Sequence, residues 1–232
     1  MSVKILAVGD VCGEPGLDYL EKNLRNYRKE NGIDFVVVNG ENANVVGVTP
    51  RQADAIFRAG ADVITLGNHT WTRTELRPYL DERSRILRPA NFAPQCPGRG
   101  IGVFKTAFGD VCVLNLIGRF TLDSNTDNPF VIADGYMEEI KEKIILVDFH
   151  AEGTSEKRAM GFMLDGRASA VSAIRFPQKK HQITGNSTHS DSNSHRYAAQ
   201  ARVPIRLYLP VPPRIKSRPH GNTVSVSPAY RK

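Results

Sequence analysis

Val63-Ile64-Thr65-Leu66-Gly67-Asn68-His69 is an apolar, β-branched run that ends in a glycine, an amide and an imidazole. So short and apolar a run predicts a buried strand. Gly67 allows the backbone to turn sharply where the strand stops. Asn68 and His69 then fall on the loop at the strand's carboxyl end, the edge where ligands settle in open α/β sheets. Asparagine offers a neutral oxygen to a metal; histidine offers a nitrogen ligand, or a proton near neutral pH.

Taken alone, those residues describe a loop with a capping amide and a surface imidazole. Three other strands change the reading. Lys4-Ile5-Leu6-Ala7-Val8 runs into Gly9-Asp10, Asp34-Phe35-Val36-Val37-Val38-Asn39 into Gly40-Glu41-Asn42, and Ile144-Ile145-Leu146-Val147-Asp148-Phe149 into His150. Asp10, Glu41, Asn42, Asn68, His69 and His150 are thereby expected on one rim, and such hard oxygen and imidazole donors suit Mn, Fe or Zn. Each has a bland reading singly: Asp10 capping a turn, Asn68 holding a loop by an Asx-type bond, His150 a satisfied core histidine. The same reading at four strand ends at once is much harder to sustain.

Outward from these strands the chain alternates. A helix with Leu17, Leu20, Leu24 and Tyr27 at helical spacing runs to about Glu30, and Gly32 ends it. Thr49-Pro50 is a cap followed by a first-turn proline and opens a second helix to about Ala59. Strand, helix, strand, helix, strand at this spacing predicts parallel pairing through right-handed crossovers. Further helices are expected over Thr72 to Glu82, Ala133 to Lys143 and Thr154 to Met163. Gly102 to Ala107 and Val111 to Leu116 alternate around Phe108-Gly109-Asp110, as in a hairpin. Ala168 to Val171 begins another strand. Glu152 and Glu156 read as helix-start carboxylates favoured by the dipole.

GDVCG (9–13), NGENA (39–43), GNH (67–69) and DFHAE (148–152), in this order, resemble the calcineurin-like metallophosphoesterases, and more narrowly the bacterial YmdB-type phosphodiesterases. The resemblance continues through Leu87-Arg88-Pro89-Ala90-Asn91, Pro97-Gly98-Arg99-Gly100, Asn115-Leu116-Ile117-Gly118-Arg119 and Thr154-Ser155-Glu156-Lys157, over about residues 3–171. It implies an α/β fold, a four-layer αββα sandwich, C-terminally incomplete here, and two divalent metal ions, Fe or Mn with Zn as a further candidate. It also implies hydrolysis of a small phosphodiester such as a cyclic nucleotide. By the same resemblance Asp10 binds the first metal with Asn42 beside it, Glu41 bridges both, Asn68 and His150 bind the second, and His69 is the general acid. The wider superfamily has a histidine where this chain has Cys12; the YmdB-type enzymes also lack it.

After Val171 the grammar changes. The family continues with a Gly-Thr-His-Thr-His type motif, whereas this chain reads Ser172-Ala173-Ile174-Arg175-Phe176. Tail histidines His181, His189, His195 and His220 do not reproduce the His-x-His spacing. Seven of the 14 prolines fall in residues 172–232, which hold 11 Lys and Arg against one acid, Asp191, while residues 1–171 hold 20 against 23. The net charge of +7 therefore belongs to the tail. Its cations are scattered with little aromatic interleaving, which argues against nucleic-acid binding. The expectation is a metallophosphoesterase domain over 1–171 and a disordered or non-native tail over 172–232, as a frameshift or a fusion would produce, leaving the sheet with an unpaired edge.

Cys12, Cys96 and Cys112 are odd in number and contain no CxxC pair, which fits reduced thiols in a cytoplasm. Met1-Ser2-Val3-Lys4 leads straight into a strand, so no signal peptide is expected, and no apolar run approaches membrane-spanning length. A homo-oligomer stays open. The alternative to a phosphodiesterase is a catalytically inactive remnant, or a regulatory metal- or nucleotide-binding protein, because the missing His-x-His would supply one ligand to each metal.

Overall fold

The alternation of apolar runs and amphipathic helices resolves into two sheets packed face to face, with helices outside both. The computed structural model describes residues 2–122, 125–174 and 205–210. In the first sheet β1 (Ser2–Val8), β2 (Phe35–Asn39), β3 (Val63–Thr65) and β4 (Ile86–Leu87) are parallel neighbours. Helices α1 (Gly13–Asn31) and α2 (Pro50–Ala59) make the crossovers. Thr49 caps α2 with a complete capping box: its hydroxyl accepts from Gln52 N, and the Gln52 side chain accepts from Thr49 N. Gly32 and Gly60 end the two helices in left-handed conformations.

α3 (Leu76–Glu82) precedes β4. The second sheet runs β5 (Ile101–Thr106), β6 (Gly109–Ile117), β7 (Ile144–His150), β8 (Ala170–Ile174), with β5 and β6 forming the expected antiparallel hairpin and the rest parallel. α4 (Pro129–Glu139) and α5 (Thr154–Met163) cover its outer face. Apolar side chains fill three layers. Leu6, Val36, Ile56 and Ile64 pack with α1 and α2, while Val3, Ile5, Val37, Val113 and Leu146 fill the gap between the sheets. Leu114, Val147, Phe149 and Met160 pack beneath α4 and α5. This is the αββα arrangement. Among the described residues no helix is long and apolar enough to cross a membrane.

Three expectations shift. The helix expected from Thr72 begins at Leu76, after turns at 68–75. The helix expected over Ala133 to Lys143 runs Pro129–Glu139 instead, because Asn128 accepts from Phe130 N and Pro129 occupies the first turn. An Asn cap followed by a first-turn proline is a helix-start signal. Lastly, residues 172–174 complete β8, and β9 (Ile205–Pro210) pairs antiparallel with β1, placing Ala7 opposite Ile205. The outer edge of β1 is thus paired, although β8 is the last strand of its sheet among the described residues. Ile205-Arg206-Leu207-Tyr208-Leu209 has a period of two that its proline-rich surroundings obscure. The rest of the expected tail, including His181, His189, His195 and His220, lies outside the described residues.

Candidate active site

Strand alternation decides what faces the gap between the sheets. Phe35 and Val37 face it from β2, Val63 from β3, Val111 and Val113 from β6, Ile144 and Leu146 from β7. Continuing the period of two puts Asn39, Thr65, Asn115 and Asp148 on the same face, and Ser172 follows Ala170 in β8. The register aligns them: Asn39 opposite Thr65, Asn115 opposite Asp148, Asp148 opposite Ser172. All five are buried. A polar layer therefore closes the apolar gap, and the strand ends that carry Glu41, Asn68 and His150 lie beyond it.

All six residues expected at the rim join one hydrogen-bonded chain. Asn42 Nδ2 donates to both Asp10 oxygens at 3.0 and 2.9 Å and approaches Glu41 Oε1 at 3.3 Å. His150 Nε2 lies 3.1 Å from Glu41 Oε1 and 2.9 Å from Asn68 Oδ1. Asn68 Nδ2 lies 3.1 Å from His69 Nε2, and the His69 backbone N–H donates to Glu41 Oε2 at 3.2 Å. Glu41 is wholly buried at the centre of the chain, while Asp10, Asn68 and His69 reach partly to solvent.

The turn that presents Asn68 is closed by Thr70, whose hydroxyl donates to Gly67 O at 2.6 Å. Gly67 matters for a different reason than the expected sharp turn. A Cβ there would stand 2.3 Å from Glu41 Oε2 and 2.6 Å from the His150 ring, so glycine is what lets three strand ends converge.

The charges are under strain. Burial, then the Asp10 carboxylate, pushes Glu41 up to about 8, and burial raises Asp10 to about 6. Burial lowers His150 to about 4 and His69 below its usual value. Despite the short separation, Glu41 and His150 are thus not a charged pair near neutral pH: loss of hydration outweighs their attraction. The Cys12 thiol is driven up to about 12 by burial and by Asp10, so it stays protonated.

Two observations bear on whether a cation fits. Asn42 Oδ1 and His150 Nδ1 are buried without hydrogen-bond partners. The buried Glu41 and the half-buried Asp10 carboxyl groups also stand together with no cationic side chain in the chain of contacts, and a divalent ion would relieve both. Among the described residues no three His, Cys, Asp or Glu side chains stand in ligand geometry; the donors here include two amides and are turned toward one another. By chemistry the set fits a hard or borderline divalent cation.

The polar layer beneath was not singled out from sequence. Thr65 Oγ1 donates to Asp148 Oδ2 at 2.5 Å, and Asn115 Nδ2 donates to Leu66 O and Leu87 O at 2.8 Å. Burial raises Asp148 to about 6, and Asn39 and Ser172 approach closely enough to oppose that rise. Neither reaches good hydrogen-bond geometry, since Asp148 Oδ1, Asn39 Nδ2 and Ser172 Oγ are all buried unpaired. The available signal was the shift from apolar to polar at the same register in each strand. Glu156, read as a dipole partner, also clamps a loop by accepting from Arg119 N at 2.8 Å.

The YmdB-like protein family matches residues 6–188, further than the resemblance ending near residue 171. A 2′,3′-cyclic-nucleotide 2′-phosphodiesterase of Bacillus subtilis is 41% identical over 172 residues, 73% of this chain and 65% of that protein. A putative phosphatase/phosphodiesterase of Mycoplasma pneumoniae is 31% identical over 73% of this chain and 63% of its own length. A crystal structure described as a novel phosphatase, also from Mycoplasma pneumoniae, superposes with a TM-score of 0.70 at 30% identity, covering 75% of this chain and 64% of the other. The chain spans somewhat under two thirds of the length of these curated relatives. With its motifs in order, the αββα layers and the family match over most of its length, the chain belongs to the YmdB-like protein family.

Proposed function

We propose that this chain is a metal-dependent phosphodiesterase that hydrolyses cyclic nucleotides or similar small phosphodiesters at a dinuclear centre of Fe or Mn. Asp10, Glu41, Asn42, Asn68 and His150 would hold the ions. When bound, such ions neutralise charge on the phosphate oxygens and supply a hydroxide at neutral pH. The observation that carries the reading is the place of Glu41, fully buried between the Asp10–Asn42 pair and the Asn68–His150 pair. A carboxylate there suits contact with two ions at once.

His69 is the acid in this reading. Its Nε2 accepts from Asn68 Nδ2, and burial keeps the ring neutral. A phosphate arriving beside it adds negative charge, which favours the protonated ring. The oxygen of a water that has already lost one proton to bulk solvent joins phosphorus, the ester P–O bond breaks, and the ring proton passes to the leaving alkoxide. The Bacillus relative's name makes a 2′,3′-cyclic nucleotide the first substrate to try. The three free cysteines support a reducing, cytoplasmic setting.

The test is bound Mn2+ per chain and turnover of 2′,3′-cyclic AMP, for the parent and for Glu41→Gln and Asn68→Ala. Glu41→Gln should lose the larger share of metal, because a shared ligand touches both sites. Equal or smaller loss than Asn68→Ala would refute the bridging role. A second reading is favoured by one observation: Ser172–Ile174 continue β8 where the family's His-x-His is due. A chain that binds one Mn2+ and turns nothing over would be a binding module.

A further inference from the structure

We propose that Asp148 is a positioning residue for the site above: by accepting from Thr65 across the gap between the sheets, its carboxylate holds Asn68 against His150. The proposal rests on the proposed metal centre for its purpose, but its geometry stands without it. Thr65 is the last residue of β3, three before Asn68, and Asp148 lies in β7, two before His150. The Thr65–Asp148 bond therefore ties the two strands that carry those residues, one layer below the 2.9 Å contact between Asn68 and His150.

The polar atoms are costly where they sit. Asp148 is buried, and Oδ1 has no partner. Ile144 and Leu146, earlier on the same face of β7, are apolar, so a leucine at 148 would extend a packed interface. A carboxylate in its place specifies one lateral setting of the sheets, because only one places Thr65 Oγ1 within reach. Apolar packing tolerates sliding in a way that a 2.5 Å hydrogen bond does not. Sliding would separate Asn68 from His150 and open the chain of contacts through Glu41.

Three variants of the full chain separate this role from bulk stability. Asp148→Leu removes the acceptor and adds apolar surface, Thr65→Val removes the donor, and Asp148→Asn keeps an oxygen for Thr65. Each is measured by urea unfolding, by Mn2+ titration of metal-free protein, and by 15N NMR of the His150 ring without metal. We expect Asp148→Leu, which leaves the buried Thr65 hydroxyl without its acceptor, to remain folded below its urea transition and there to bind Mn2+ about 10–100-fold more weakly, the range typical of residues that orient ligands. Thr65→Val should follow it, and Asp148→Asn should stay within about threefold of the parent. The Nε2 resonance of His150 should move in the first two and not in the third.

If Asp148→Leu folds and binds Mn2+ within about twofold of the parent, the proposal is wrong. Should Asp148→Leu fail to fold, Thr65→Val decides by the same criteria. Should the parent itself take up no Mn2+, the metal centre falls, and the His150 resonance alone decides the positioning role: an unmoved signal in both Asp148→Leu and Thr65→Val overturns it.

Discussion

The gap between the two sheets has two ends built from the same strands. At one end Val3, Ile5, Phe35, Val37, Val113 and Leu146 meet as a dry apolar interface. At the other, Asn39, Thr65, Asn115 and Asp148 meet as a buried polar layer below Glu41 and His150. Strand alternation and register continue unchanged from one end to the other; only the residue class switches. The apolar end gains free energy from each group removed from water, whereas the polar end loses it wherever a buried atom goes unpaired. The molecule is thus stabilised at one end, and that surplus holds strained, under-hydrated groups together at the other.

If that division holds, damage to the apolar end should cost stability and spare the site. Leu146→Ala empties a fully buried position in the gap and should lower unfolding free energy by about 2–5 kcal/mol. Urea unfolding measures the loss, and Mn2+ titration below the transition should give the parent affinity. A variant that stayed stable but lost metal would show that the two ends are not separable.

His69→Ala should show the reverse pattern. The side chain is partly exposed and at the edge of the contacts, so stability and Mn2+ content should hardly change. Turnover of a cyclic nucleotide should fall by about 10²-fold or more, the usual contribution of a general acid. An ester with a nitrophenolate leaving group, which needs no proton, should suffer less. Metal loss as severe as that of His150→Ala would make His69 a ligand instead.

Both ends left unequal traces in the sequence. The apolar end was legible as four runs, because burial on both faces of a parallel strand demands continuous Val, Ile and Leu. The six rim residues were legible because each follows directly on such a run. Asn39, Thr65 and Asp148 were not, since one polar residue at a strand's end looks like the start of a loop, and only pairing across the sheets gives it meaning. α4 starts four residues before the expected Ala133 because Asn128 caps it and Pro129 occupies its first turn. β9 was hidden by composition: its partner strand lies about two hundred residues away, a distance over which no local pattern reports.

Glu41 sharpens the comparison, because its pKa is raised further than that of Asp10 or Asp148. Folding raises its pKa from 4.5 to about 8. Above an unfolded value of 4.5, the unfolded chain has released this proton while the folded chain keeps it until about pH 8. Stability of the metal-free chain must therefore fall as pH rises through that window, by at most about 1.4 kcal/mol per pH unit. Below pH 6.5 buried His150 works the other way, since its folded pKa of about 4 means that acid favours the unfolded chain. Asp10 and Asp148, each raised to about 6, add their own slope there. Among the described residues, Glu41 is the group whose shift spans about pH 6.5 to 8. Urea unfolding of the metal-free chain at pH 6.5, 7.2 and 8 should show a decline in the parent and a nearly flat line in Glu41→Gln. Saturating Mn2+ should flatten the parent too, because a bound cation keeps the carboxylate ionised. A decline that persists in Glu41→Gln would place the strain on another group and separate the polar end's cost from its central carboxylate.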